Sequence, residues 1–226
     1  MFLWTDLETT GLVNYSDLPL AVGIVLTDNE FRERARGEWV IGWDLGDIRA
    51  TCMDPFVEAM HTKSGLLARV LDPATPPLGA VEAQIAEWLR AQGLNDTTEI
   101  KKRPPYAGNS VAFDRGFIDE YMPRVAAFYN YRCLDVSTLK VIAQAIAPGA
   151  REWCAAKEGQ AVHTPLKDID ASLREFAHWR RELFKPEVGC CPYFAVTHAG
   201  PALTGGVPST YEPCTLTPGH MPPCKP

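Results

Sequence analysis

The chain has 226 residues, 46% of them apolar and 22% charged, with a formal net charge of −6 and a pI near 5.4. That acidic balance argues against a wide basic face for gripping long duplex nucleic acid. No run approaches the roughly 18 apolar residues of a membrane span, and the N-terminus carries no secretory signal pattern, so the cytoplasm is the expected compartment.

Phe2 to Glu8 reads as a strand carrying Asp6 and Glu8, one residue apart. Side chains alternate faces along a strand, so both acids point the same way. Two close carboxylates repel unless a cation or proton sits between them, which makes the pair a candidate divalent-metal platform. Residues 11–18 form a turn. Ala21 to Thr27 is a β-branched second strand and Glu38 to Leu45 a third, completing an antiparallel meander. Asp54-Pro55 opens a helix as N-cap and first helical residue. The segment 61–66 interrupts it, and Ser64 caps a further turn through Val70.

After a proline-rich loop, residues 79–92 carry Val81, Ile85, Trp88 and Leu89 at helical spacing and stop at Gly93. Residues 95–105 are a polar, basic loop. Tyr106 to Ser110 is a short buried strand ending, and Phe113 to Tyr121 and Pro123 to Tyr129 are helices. Tyr131 to Leu134 is a fifth strand. Asp135 caps a helix whose apolar face is Leu139, Ile142, Ala143 and Ile146. Thr164-Pro165 starts a last helix with Leu166, Ile169, Leu173, Phe176, Ala177 and Leu183 inward. The order predicts an α/β protein with a mixed five-stranded sheet flanked by helices. Residues 1–185 form the folded domain. Residues 186–226, rich in Pro, Gly, Cys and Thr, form an irregular C-terminal extension.

More chemistry-bearing residues fall at strand ends or helix starts. Asp114 lies early in the helix after Gly108-Asn109-Ser110. His163 and Asp168 straddle the last helix start, whose positive end favours an acid. Four carboxylates can hold two Mg²⁺ or Mn²⁺ roughly 3.5–4 Å apart for in-line attack on phosphorus, with an imidazole taking the proton from water. Each residue also has a bland reading: a cap for Asp114 and Asp135, a surface loop for His163, a first-turn acid for Asp168. For Asp135 the cap is the preferred one.

Five segments in order carry a resemblance: 6–12 (Asp-Leu-Glu-Thr-Thr-Gly-Leu), 61–66 (His-Thr-Lys-Ser-Gly-Leu), Gly108-Asn109-Ser110 with Asp114-Arg115, 131–140 (Tyr-Arg-Cys-Leu-Asp-Val-Ser-Thr-Leu-Lys), and His163 with Asp168. Together they resemble the oligoribonuclease family, within the DEDD exonuclease superfamily, histidine subtype, over residues 2 to about 184. The resemblance implies a ribonuclease H-like fold and a 3′→5′ exoribonuclease that takes very short RNAs, dinucleotides especially, to mononucleotides with two divalent cations. It implies Asp6, Glu8, Asp114 and Asp168 as metal ligands and His163 as general base. It also implies Leu12 as a wedge against the bases, His61 in the substrate pocket, and Ser110, Arg132 and Ser137 around the 5′-phosphate. The Tyr131-Arg132 segment would reach across a homodimer. A closed pocket for two nucleotides needs no long basic groove, so the acidic composition fits.

The sequence departs from the family pattern at Ala21, where a supporting glutamate is usual, at Thr9, where Met is usual, and at Lys167, which replaces an acid. Two other functions are open: a single-strand DNA exonuclease of the proofreading type, which the Asp-Leu-Glu-Thr-Thr-Gly wording allows, and a non-catalytic dinucleotide binder. In the extension, Cys190, Cys191, His198, Cys214, His220 and Cys224 suffice in number for tetrahedral zinc, but their spacing matches no familiar finger. The irregular-extension reading is preferred there.

Overall fold

The computed structural model describes residues 1–146 and 164–183; His163, the linker before it and the cysteine-rich tail lie outside them. Strands β1 (Phe2–Thr9), β2 (Pro19–Thr27), β3 (Glu33–Val40), β4 (Tyr106–Gly108) and β5 (Cys133–Asp135) form one sheet in the order β3-β2-β1-β4-β5. β1 pairs antiparallel with β2, and β2 with β3, while β4 lies parallel to β1 and β5 parallel to β4. Hairpins suffice for the first three strands, and helices carry the chain back for the parallel pair, as the element order predicts. The helices are α1 (Leu45–Ala50), α2 (Pro55–Ser64), α3 (Leu66–Val70), α4 (Leu78–Ala91), α5 (Val111–Tyr121), α6 (Pro123–Ala126), α7 (Val136–Ile146) and α8 (Pro165–Leu183).

β1 is central and apolar on both faces, as a doubly covered strand must be. Leu3 and Leu7 pack with α4 and α5 through Val81, Ile85, Leu89, Phe117 and Ile118. Trp4 on the other face packs with Val136, Ala143, Ile169, Phe176 and Trp179 of α7 and α8. Its indole N–H donates to Thr27 Oγ1 at 3.1 Å, which satisfies the one polar atom it buries.

Three expectations need correction. The third strand is Glu33–Val40, not 38–45. Its outer half, Glu33-Arg34-Ala35-Arg36, carries charges because it is a sheet edge, and charge is what keeps an edge from pairing further. Past Val40 the chain leaves the sheet, Asp44 caps Asp47 N–H at 2.9 Å, and Leu45 opens α1, a helix the sequence reading did not anticipate. On α7, Ile142 is 43% exposed while Val136 is fully buried. On α8, Ala177 is exposed, and Trp179 takes the inward place in the row Ile169, Ser172, Phe176, Trp179 that the 3.6-residue period defines. Among the described residues no helix is long and apolar enough to cross a membrane.

Candidate active site

The site grows out of a gap in the sheet. β4 runs beside β1 only at Leu3 and Trp4, so beyond Trp4 that edge of β1 has no strand neighbour. The chain turns out of β4 through Ser110, held at φ +51°, and enters α5. α5 brings Asp114 into the opening, where its Oδ1 accepts the Leu7 N–H at 3.0 Å. A buried carboxylate thus replaces a missing ladder carbonyl, as the backbone donor requires.

Asp168 arrives from the opposite layer. Asp6 pairs across the sheet with Gly23, and α8 begins directly over that glycine. A Cβ on Gly23 would lie 2.7 Å from Pro165 Cβ and 3.1 Å from the Leu166 backbone nitrogen. Only glycine lets the helix start so close to the sheet, and Asp168 follows in its first turn. Ligand atoms of Asp6, Glu8 and Asp168 all lie within 4.8 Å of one another.

These acids are held against their own chemistry. Burial, then the charges of Asp114, Asp168 and Glu8, raises Asp6 well above the carboxylate range. Burial, then Asp168, Asp114 and Glu38, pushes Glu8 up to about 7. Burial lifts Asp114 to about 7 although the Leu7 N–H favours its charged form. A donor set of clustered oxygens whose ionisation is suppressed by burial and by neighbouring charge fits hard divalent cations, which would relieve it.

Two neighbours of the cluster bear on its charge. Ala21, where the family pattern has an acid, pairs directly with Glu8 and is buried in an apolar group with Leu66 and Val70. Glu38 stands in line with Asp6 across Gly23, on the same sheet face, and is ion-paired to Arg69 at 3.7 Å. The sequence reading gave it no role: it put Glu38 at the start of the third strand, whereas the strand runs from Glu33 to Val40 and sets Glu38 opposite Gly23. Lys167 is exposed.

His61 is fully buried behind Glu8. Its Nε2–H donates to the Thr9 carbonyl at 3.0 Å, and Nδ1 lies 3.9 Å from Glu8 Oε2. Above Glu8 opens a cleft of about 660 Å³ with Leu12, Met53, Phe56, Val57, Met60 and Phe113 among its walls. Leu12 at the rim is 81% exposed and Phe56 is 73% exposed. The apolar row on and before α2 had no assigned role in the sequence, though Met53, Phe56 and Met60 at helical spacing was a readable signal.

A second group lies at the start of α5 and α7. Asp135 Oδ1 accepts from Ser110 N–H at 3.0 Å and Ser137 N–H at 2.9 Å, and its Oδ2 accepts from Val111 N–H at 3.3 Å. The cap expected at Asp135 therefore serves two helices. Ser137 Oγ donates to the same carboxylate at 2.5 Å and lies 3.2 Å from Ser110 N, so Ser110 and Ser137 are brought together. Asp135→Ala is expected to cost about 2 kcal/mol, measured by urea unfolding. A loss under about 0.5 kcal/mol would show that water serves both termini equally well. Arg132 is not part of this group. Its guanidinium stacks over the half-exposed Tyr131 ring at 5.1 Å, and it lines a separate cleft with Lys101, Lys102 and Arg103 beside Met1 and Phe2.

The sequence model of the Exonuclease family matches residues 3–176. The chain is 34% identical over 187 residues to the oligoribonuclease of Ectopseudomonas mendocina, covering 81% of this chain and 96% of that protein. It is 36% identical over 185 residues to the oligoribonuclease of Thiobacillus denitrificans, covering 82% and 96%. In fold it is similar to S. pombe Pop2p in its Mg²⁺- and Mn²⁺-bound form, with a TM-score of 0.59 and 15% identity over 81% of this chain and 84% of that one. It is also similar to E. coli exonuclease I in complex with a 5cy-dT13 oligonucleotide, with a TM-score of 0.55 and 15% identity, covering 80% of this chain and 40% of that one. The mixed sheet, its helical layers and these neighbours make the fold ribonuclease H-like. By its family match and its extended identity to these curated relatives, the chain belongs to the oligoribonuclease family of exonucleases.

Proposed function

We propose that the chain is a cytoplasmic, metal-dependent 3′→5′ exoribonuclease that hydrolyses very short oligoribonucleotides, dinucleotides especially, to mononucleotides. The observation that carries this reading is the carboxylate cluster of Asp6, Glu8 and Asp168, whose buried member Glu8 also lines a cleft with apolar walls. In it Asp6, Glu8, Asp114 and Asp168 would hold two Mg²⁺ or Mn²⁺ ions, which supply a more acidic water and a counter-charge for the leaving oxygen. His163, outside the described residues, takes the proton of the water that attacks phosphorus. The bond from phosphorus to the 3′-oxygen of the penultimate ribose breaks, and that oxygen leaves as a hydroxyl.

The remaining residues bind. Leu12 wedges against a base, and the apolar walls around Phe56 and Met60 receive the two rings, where stacking is worth about 1–3 kcal/mol per base. His61 supports the pocket from behind Glu8, held by its bond to Thr9. Ser110 and Ser137 close around the 5′-phosphate, Ser137 giving up its hydroxyl bond to Asp135 to donate there. Arg132 clamps that phosphate in the partner's site of a homodimer, reached through the Tyr131-Arg132 segment. Its exposure, and its place in the lining of a cleft that includes neither Ser110 nor Ser137, support a role in trans. In this reading residues 1–185 are the exonuclease domain and 186–226 an extension with no catalytic part.

The test uses purified protein with Mn²⁺ or Mg²⁺ on 5′-labelled RNA and DNA of two to seven nucleotides. Diribonucleotides are expected to be cleaved, and Asp114→Ala to abolish cleavage. Preference for long single-stranded DNA, or tight dinucleotide binding without turnover, would overturn the reading.

A further inference from the structure

We propose that Asp17 is a positioning residue that holds the Leu12 wedge in place and thereby sets the preference for the shortest substrates. The inference rests on the function proposed above. Residues 10–18 link β1 to β2 and form one wall of the cleft. An exposed leucine on a free loop would sample many positions and give a base little to press on. This loop is not free. Asp17, itself buried, accepts the Val13 N–H at 2.8 Å through Oδ2 and the Thr10 hydroxyl at 3.3 Å through Oδ1. The Thr10 hydroxyl accepts in turn from Leu18 N–H at 2.9 Å, and Asp17 N–H donates to the Val13 carbonyl at 2.8 Å.

Gly11 closes the arrangement. A Cβ there would lie 2.5 Å from both Asp17 carboxylate oxygens. The carboxylate thus packs on the residue before Leu12 and bonds the residue after it. The side chain of Leu12 is left to project over the cleft.

Two further bonds tie the loop to the helix that carries Asp114. Tyr121 donates its hydroxyl to the Asp17 carbonyl at 2.8 Å, and Asn14 donates its amide to the Gly116 carbonyl at 3.0 Å. Both acceptor and donor partners on the far side belong to α5. The wedge and one of the four acids therefore share a single braced unit. A dinucleotide offers only two bases, so its binding leans heavily on the wedge. A longer strand carries further bases and phosphates of its own, so the wedge is a smaller share of what can hold it.

The test compares full-length wild type, Asp17→Ala, Asp17→Asn and Tyr121→Phe on 5′-phosphorylated diadenylate and heptadenylate. Binding is read by calorimetry in Ca²⁺ and turnover in Mn²⁺. Asp17→Ala is expected to raise Kd and KM for the dinucleotide about tenfold, equivalent to about 1.4 kcal/mol, and for the heptanucleotide about twofold. Saturating kcat and Mn²⁺ affinity should stay close to wild type. Asp17→Asn keeps one acceptor oxygen and should fall between the two. Tyr121→Phe, which spares the carboxylate, should show the same length bias more weakly and serves if Asp17→Ala does not fold. Equal losses for both lengths, or a lower Tm with unchanged length preference, would overturn the assignment. Wild-type protein that binds both oligonucleotides without turnover would refute the exonuclease reading, while the length comparison would still decide the brace.

Discussion

Glu8→Gln is expected to make the metal-free protein more stable than wild type at about pH 8 while abolishing turnover. Glu8 ordinarily titrates near 4.5, as it does in the unfolded chain, and is pushed up to about 7 in the folded one. Between those values the folded state holds more protons than the unfolded state, so stability falls as pH rises and the whole penalty is present above 7. A shift of that size corresponds to about 3 kcal/mol. The amide carries no charge and escapes the penalty. In EDTA, wild type and Glu8→Gln should therefore melt alike near pH 4.5 and diverge by several degrees near pH 8. Mn²⁺ should raise the Tm of wild type by mass action and leave the variant nearly unmoved. A metal-free Glu8→Gln that melts below wild type at pH 8 would mean that Glu8 is structurally paired rather than held for a cation.

Gly23→Ala is expected to destabilise the fold and to weaken metal binding through a single added methyl. The new Cβ would stand 2.7 Å from Pro165 Cβ, 3.0 Å from the Pro165 carbonyl carbon and 3.1 Å from the Leu166 nitrogen. Two of those atoms are backbone at the start of α8, so relief requires the helix to lift off the sheet. Overpacking of this kind costs about 1–3 kcal/mol. Asp168 sits one turn along and moves with the helix, so Mn²⁺ affinity should drop about tenfold or more, in line with the loss of a supporting contact at a metal site. Gly79→Ala is the control. Gly79 lies in the first turn of α4, and a methyl added there would meet nothing within 4 Å, so alanine should be neutral or stabilising by up to about 1 kcal/mol. Calorimetric Mn²⁺ titration beside urea unfolding separates the outcomes. If Gly23→Ala binds Mn²⁺ as wild type does, α8 does not depend on this contact to present Asp168.

Much of this was legible in the chain because its signals are local. Asp6 and Glu8 share a face by strand alternation alone, and Thr164-Pro165 announces α8 by capping chemistry. The β-branched run of β2 and the Gly93 stop after α4 needed no tertiary information either. Where local signals were weak, boundaries moved. Glu33-Arg34-Ala35-Arg36 has the composition of a solvated turn, and only pairing with β2 makes it a strand. Trp179 is inward and Ala177 outward because the sheet meets α8 on one particular stripe, which the amphipathic pattern narrows but does not select.

At the site the division is sharper. The sequence alone determined the residue types, their order and their membership of strand ends and helix starts, since those follow from alternation, capping and motif spacing. Only the tertiary structure decided which of them meet. Asp114 reaches Leu7 because β4 stops two residues into its pairing with β1, and Asp168 reaches Asp6 and Glu8 because Gly23 leaves room for α8. Arg132, a neighbour of Ser110 and Ser137 in the motif, instead lines a cleft with Lys101, Lys102 and Arg103. Contacts between residues a hundred positions apart depend on where strands end and how closely layers approach, and no local pattern carries that information.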